Sequence, residues 1–398
     1  MPNVSRLVQS LEPSATLAMA AKAKELTAAG KTVYDFSVGE PDFTTPAHIC
    51  QAAADAMRAG HTHYTVASGI PELKRAIVAS YKASHGLEYS PQQVVVANGA
   101  KHALHNVFTA LCNPGDEVII PAPYWVSYAE LVKLTGAKPV IVETAESNDF
   151  RITPAELRRA ITPRSIALLL CSPSNPTGSM YSPVDLGELA DVAIERNLTV
   201  ISDEIYERLI YGNNRFASFA TVRPGLQERT IVVNGVSKAY AMTGWRIGWT
   251  LSPANLAKAM ADLQSQETSN PCSISQYAAL AALEGPQQCV TEMLGEFARR
   301  REFVRRRVAE MPDVSCTEMA GAFYAFMNIK KHLGKTYGGK RCGTSSEWCL
   351  TLLEQQNVAT VMGSAFGAEG FARLSFAASM ETLEEGLKRI EEFIRGAK

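Results

Sequence analysis

Residues 230–251, TIVVNGVSKAYAMTGWRIGWTL, decide the reading of this chain because they set one lysine between two apolar runs. A short β-branched run, 230–233, gives way to a small polar turn that closes on Ser237 and Lys238, and Arg246 stands inside a second apolar run. Runs bounded by small and polar residues read as strands, so Lys238 is expected in a turn at a strand edge. Partial desolvation there disfavours the ammonium form, lowers the pKa toward neutrality and makes the amine a nucleophile. Carbonyl substrates and pyridoxal phosphate are the usual partners of such a lysine, through a Schiff base. The same residues also admit a plainer reading, a solvated lysine that follows a strand.

Outward from this stretch, residues 49–283 repeat one pattern: an apolar run, a turn rich in Gly, Pro or Asn, and a helical stretch. The runs are 94–97, 117–120, 139–142, 166–171, 198–202, 231–233 and 247–251. Runs apolar on both faces and separated by helices predict a largely parallel sheet covered on both sides, an α/β architecture. Ligands of such sheets gather at the carboxyl ends of the strands, so the residues that follow each run are the candidate site. After 94–97 come Asn98, Gly99, Ala100 and Lys101 and then a helical stretch, whose free N–H groups at the positive end suit a phosphate. Neither a Walker loop nor the glycine fingerprint of dinucleotide folds is present. After 117–120 comes PAPYW, where Trp125 either stacks on a planar cofactor or packs in a core or interface. After 166–171 comes SPSNPTG, a turn stiffened by two prolines in which Asn175 can donate or accept. After 198–202 comes Asp203, costly at the end of an apolar strand without a cationic partner unless it caps a helix.

The two ends of the chain carry a second set of signals. A helical stretch at 16–29 precedes VYDFSVGEPDFTTP, in which Gly39 either brings a bare backbone N–H to a ligand or punctuates a turn. Residues 292–310 predict a helix with Leu294, Phe297, Ala298, Val304 and Val308 on one face and a solvated arginine and glutamate face on the other. Beyond residue 313, strand and helix signals alternate around a loose polar segment at 330–346. Arg373 stands in an apolar strand run and is expected to meet a carboxylate, an internal salt bridge being the plainer way. The expected layout is a large domain at 48–290 and a smaller α+β domain built from 1–47 and 291–398.

Composition narrows the function. A net charge of -1 on 398 residues gives no general affinity for polyanions, which excludes nucleic acid and anionic membrane as expected partners. With 46% hydrophobic and 20% charged residues the chain has core material for two globular domains. Its eight cysteines form no Cys-x-x-Cys pair, which points to reduced thiols in a cytosolic protein and to no metal site. No apolar signal core opens the chain and no run approaches the ~18 apolar residues of a membrane span, so a cytoplasmic location is expected.

Taken jointly, NPTG at 175–178, DEIY at 203–206, Ser237-Lys238 and TGWRIG at 243–248 resemble the class I/II aminotransferases of pyridoxal phosphate fold type I. The PSAT, GEPDF, APYWVSY and GAFY segments resemble the aspartate aminotransferase subgroup called one-beta, which also includes prephenate aminotransferases. The resemblance covers nearly the whole chain. It implies a seven-stranded, mostly parallel sheet between helices and pyridoxal 5′-phosphate bonded to Lys238, which then moves the proton at the substrate Cα. Asp203 is to pair with the protonated pyridine nitrogen, Asn175 and Tyr206 to hydrogen-bond the ring's phenolic oxygen, and Trp125 to stack on the ring. The backbone at Gly99, Ala100 and Lys101, with Ser237 and Arg246, is to hold the phosphate. Tyr64 matches a tyrosine that family members lend from the neighbouring subunit, which implies a homodimer with shared sites. Arg373 is to take the substrate α-carboxylate with the Gly39 N–H beside it. Lys101 and Thr16 match the positions used for a distal carboxylate.

The activity so implied is transamination between L-aspartate and 2-oxoglutarate, giving oxaloacetate and L-glutamate. One alternative is a prephenate or aromatic aminotransferase, against which Glu12 counts, since members that use prephenate carry a basic residue there. The other is a ligand-sensing regulator on the same fold, which needs a basic DNA-binding domain ahead of Pro13.

Overall fold

Every one of the seven apolar runs forms a strand in the structure, a computed structural model that describes residues 3–398. The first two residues of the expected N-terminal segment 1–47 lie outside the described residues. The strands hydrogen-bond into one sheet in the order Val94–Ala97, Gly248–Leu251, Thr230–Gly235, Thr199–Asp203, Ser165–Cys171, Glu117–Ala122 and Lys138–Glu143. Six run in one direction, and Gly248–Leu251 opposes both of its neighbours. Val94–Ala97, Thr230–Gly235 and Gly248–Leu251 are buried at every position, as strands covered on both faces must be. Three apolar clusters do the covering, with Ile77 and Trp249 in one, Phe108 and Val132 in another, and Leu189 and Phe219 in the third.

Register sets up the site. Ala97 and Gly235 both pair with Gly248, Val233 pairs with Asp203, and Asp203 pairs with Cys171. Because Gly248–Leu251 runs backwards, its start meets the ends of the strands on either side. The segments 98–101, 236–238 and 243–246 therefore converge on one edge of the sheet, next to Asp203. Arg246 is not inside the second strand, as the sequence pattern suggested. It ends the short turn Thr243–Trp245 in a left-handed conformation (φ 56°), which keeps its guanidinium out of the sheet and exposed.

A fourth cluster joins the two ends of the chain. Met19 and Ala23 of the helix Ala15–Ala28 and Phe36 pack with Phe297, Phe326, Trp348 and Leu387. Around them lies a four-stranded antiparallel sheet in the order Val361–Met362, Phe371–Ser375, Tyr324–Asn328, Ser315–Cys316. Tyr34–Asp35 pairs in parallel with Val358–Ala359, which ties the N-terminal segment to the C-terminal part. Two expectations need correction here. The helix Gln288–Glu310 buries Arg300, which is 5% exposed, so its arginines are not all on a solvated face. That charge is tolerable because Asp42 at 2.6 Å and Glu296 at 2.9 Å accept from it. The segment 330–346 is not merely loose, since Thr336–Tyr337 pairs with Lys340–Arg341 and the buried Tyr337 ring stacks on Phe393. Among the described residues no helix is long and apolar enough to cross a membrane, and all eight cysteines are free thiols.

Gly248 is the point where the reversed strand passes the Gly99–Ala100 backbone. A Cβ there would collide with the Ala100 nitrogen and lie 2.7 Å from the Gly99 carbonyl carbon. Gly248→Ala is expected to destabilise the fold by about 1–3 kcal/mol through overpacking. Chemical denaturation of the two proteins checks this, and coincident curves would contradict the close approach.

Candidate active site

The convergence of loops encloses a cavity of about 280 Å³ at the carboxyl edge of the large sheet. Lys238 sits three residues beyond the end of Thr230–Gly235, and its Nζ donates to the Gly39 carbonyl at 2.6 Å. Burial lowers its pKa to about 8, opposed by Glu40, assisted by Arg246 and Arg373, and opposed again by Asp203. A substantial neutral fraction is therefore present near physiological pH, as a nucleophile or general base requires.

Asp203 ends its own strand and is 3% exposed. Burial raises its pKa to about 6, against the pull of the Tyr128 hydroxyl (2.6 Å from Oδ2), the Ile205 N–H and the Lys238 charge. It is thus mostly ionised at neutral pH and has no cation in contact among the described residues. The helix-cap explanation does not apply, because the residues that follow form a turn and no helix. A buried carboxylate held ionised by two neutral donors is a site for a cationic group.

Arg373 lies in the strand Phe371–Ser375 with 1% exposure. The expected internal carboxylate is absent among the described residues. Nη1 donates to Asn175 Oδ1 (2.9 Å), Nη2 donates to the Ser37 carbonyl (2.6 Å), and Nε is buried without a partner. The guanidinium is clamped between the Tyr324 and Phe366 rings at 4.6 and 5.0 Å. Asp35, the carboxylate whose charge acts on Arg373, is occupied by the Ser37 N–H and hydroxyl. A flat, fixed and unneutralised guanidinium facing a cavity suits a carboxylate from a ligand.

The fourth wall is the start of the helix Ala100–Leu111. Gly99 precedes it with φ 84°, a region that glycine alone enters freely, and a Cβ there would collide with the Arg246 guanidinium. The Ala100 and Lys101 N–H groups have no acceptor among the described residues, and no side chain caps the helix. With Ser237 and Arg246 beside them, they form an anion site.

Of the residues singled out from sequence, Lys238, Asp203, Tyr206, Ala100, Lys101, Trp125, Asn175, Ser237, Arg246, Gly39, Arg373 and Thr16 line this one cavity. Gly99 stands just behind the lining as the residue before the helix. Tyr64 is not brought to the cavity by its own chain and is 90% exposed. Trp125 packs edge-on against Tyr128 and carries the Lys101 ammonium 4.9 Å above its ring. Sequence reasoning gave no role to Tyr128, Tyr324, Ser37 or Thr243, all of which line the cavity. Tyr128 supports Asp203, and Tyr324 shares a 2.8 Å hydroxyl contact with Tyr206. Both stand in quoted segments, APYWVSY and GAFY, but nothing in those segments reveals which distant partner each meets.

The family model described as aminotransferase class I and II matches residues 31–390. This chain belongs to the class I and II aminotransferases. Similar to this aminotransferase is an aspartate aminotransferase of Geobacillus stearothermophilus, 47% identical over 98% of each chain. An aspartate/prephenate aminotransferase of Cereibacter sphaeroides is 46% identical over the whole of both. The crystal structure of the aspartate aminotransferase of Rhizobium meliloti matches the fold with a TM-score of 0.97, at 44% identity over the whole of both chains. That of Thermus thermophilus with maleate matches with a TM-score of 0.92, at 40% identity over 99% of this aminotransferase and all of that chain.

The lowered pKa of Lys238 has a measurable sign. The neutral amine is the reactive form, so trapping of Lys238 by a small aldehyde and borohydride in the cofactor-free aminotransferase is expected to rise with pH to a midpoint near 8. A midpoint at the ordinary lysine value of about 10.4 would overturn the burial argument.

Proposed function

We propose that this aminotransferase is a cytoplasmic homodimer that uses pyridoxal 5′-phosphate to move an amino group between L-aspartate and 2-oxoglutarate, giving oxaloacetate and L-glutamate. The observation that carries the reading is the buried, unneutralised Arg373 in one cavity with a depressed lysine and an unpaired carboxylate. The residues fit the cofactor at three points. Free N–H groups at Ala100 and Lys101 with Gly99, Ser237 and Arg246 suit its phosphate, ionised Asp203 suits its ring nitrogen, and Lys238 suits its aldehyde. When bound, pyridoxal phosphate supplies a protonated ring that withdraws electron density from the substrate Cα.

The chain's own groups do the rest. Asp203, supported by Tyr128, holds the proton on the ring nitrogen. Asn175 and Tyr206 would hydrogen-bond the ring's phenolic oxygen, and Trp125 would bound the ring face. Lys238 Nζ takes the proton from Cα and returns one. Arg373 fixes the α-carboxylate as a bidentate partner, with Asn175 and Gly39 beside it. Lys101 and Thr16, at the mouth, meet the distal carboxylate. The maleate named with the Thermus thermophilus relative is a dicarboxylate of the same length as oxaloacetate, which supports this choice. The partner subunit's Tyr64 completes the phosphate site, in keeping with the exposure of Tyr64 and Val66 in the single chain. Three apolar clusters that lie wholly within 49–290, and a fourth built mostly from the two ends of the chain that packs on Tyr206 and Tyr211, support a division into a large domain at 48–290 and a small domain at 1–47 and 291–398.

A second reading, transamination of prephenate, is favoured by the relatives named for both substrates. Glu12 argues against it as the main activity. It lies two residues before Ser14 of the cavity wall, in place of the basic residue carried by members that use prephenate.

Steady-state rates with aspartate, glutamate, arogenate and phenylalanine as donors decide between the readings. Aspartate is expected to give the highest kcat/KM, and a higher value for arogenate reverses the choice. Lys238→Ala is expected to abolish turnover while leaving a folded dimer, and retained activity would remove Lys238 from the mechanism. Arg373→Leu is expected to lower kcat/KM roughly a hundredfold for every amino acid, the scale of about 3 kcal/mol for a lost charged pair. A loss confined to dicarboxylic donors would assign Arg373 to the distal group instead.

A further inference from the structure

The residue that keeps the anion site in shape stands outside the cavity. His102 is the third residue of the helix Ala100–Leu111, and its Nδ1 accepts from the Asn98 N–H at 3.1 Å. The Asn98 carbonyl in turn faces Arg246 Nη2 at 3.5 Å, and the Gly99 N–H is spent on the Ala97 carbonyl. This closes a small ring of contacts around the turn whose next two N–H groups, Ala100 and Lys101, are left free. His102 itself does not line the cavity.

The third position of a helix is where a Glu or Gln ordinarily reaches back to a backbone N–H before the helix start. A glutamate there would set a negative charge beside a site built for an anion. A neutral imidazole supplies the acceptor without the charge. Accepting at Nδ1 fixes the tautomer, so the proton is on Nε2, which is buried without a hydrogen-bond partner. Two titratable groups face the ring. Glu267, on the helix Ala254–Glu267, is 3.9 Å from Nε2, and His105 stacks at 6.3 Å while holding Glu267 at 3.1 Å.

Resting on the cofactor reading above, we propose that His102 is a positioning residue for the cofactor phosphate, holding the Asn98 N–H so that the Gly99–Lys101 backbone stays aimed at the anion. Protonation at Nδ1 removes the acceptor and releases the turn. Burial, with the nearby His105, lowers the His102 pKa against the opposing pull of Glu267. The acceptor is therefore intact at neutral pH and lost only in acid, below the ordinary histidine value of about 6.5.

The test compares dissociation constants of pyridoxal 5′-phosphate and of pyridoxal, which lacks the phosphate, for the unaltered protein, His102→Leu and His102→Gln, read by visible absorbance. His102→Leu is expected to weaken pyridoxal phosphate roughly tenfold and pyridoxal little, the scale of one lost acceptor. His102→Gln keeps an acceptor and is expected to restore the affinity. Between pH 7 and acid conditions, the preference for pyridoxal phosphate over pyridoxal should fall more steeply in the unaltered protein than in His102→Gln, since titration of the phosphate itself (second pKa about 6) lowers it equally in both and titration of Asp203 moves both ligands together. Equal weakening of both ligands in His102→Leu, or no rescue by glutamine, overturns the role of His102 and leaves the cofactor reading standing. Failure of the unaltered protein to bind either vitamer overturns both.

Discussion

Asp203, Lys238 and Arg373 line one small cavity and none of them forms a salt bridge with another. Taking a charge out of water costs several kcal/mol unless a partner is supplied, and this fold leaves Asp203 and Arg373 short of one. Lys238 answers the same cost differently, by tending toward the neutral amine. A ligand with a cationic ring nitrogen near Asp203 and a carboxylate on Arg373 restores the balance that folding leaves open. The uncompensated charge is therefore also the recognition element, because a cation at Asp203 and a carboxylate at Arg373 remove it.

The sheet makes this arrangement possible through one reversed strand. Had Gly248–Leu251 run parallel to its neighbours, its entry loop would have lain at the opposite edge, away from Ala97 and Gly235. Reversal brings Arg246 alongside Gly99 and Lys238, so the free N–H groups at the helix start and the lysine end of the site are fixed by the same three strands. Glycine at 248 and 99 lets the two backbones approach closely enough for Arg246 to reach over the helix start. Asp203 joins them because its strand is the next one along, in register with Val233.

How much of this was legible follows from the range of the interactions. Strand runs declare themselves locally, through apolar stretches bounded by turn residues, and so did the strand-end positions of Lys238, Asp203 and Asn175. The groups that support them come from far away in sequence. Tyr128 reaches Asp203 across 75 residues and Tyr324 reaches Tyr206 across 118, distances over which no periodicity carries information. Arg300 defeated the pattern for a similar reason, since its partner Asp42 lies 258 residues off and makes burial affordable on a face that otherwise reads as solvated. For Arg246 the opposite held. Flanking Trp245 and Ile247 made a local run look continuous, while a left-handed residue broke it.

On the proposed function, the two ends of the substrate would meet very different cations, and this bears on specificity. Arg373 is buried, flat, wedged between two rings and aligned by Asn175 and Ser37. Its attraction is little screened and its geometry suits a planar carboxylate, so recognition at the α-end would be stringent. Lys101 is an exposed point charge at the cavity mouth, resting over Trp125 on a flexible stem. Partial burial and the nearby Arg246 lower its pKa, and on its flexible stem it would reward a distal anion without demanding one position for it. On the proposed function, a site built this way would be strict about what makes a molecule an amino acid and lenient about the rest of the side chain. Changes among the residues around the mouth, Glu12 included, can then retune the distal preference without disturbing the chemistry at Lys238.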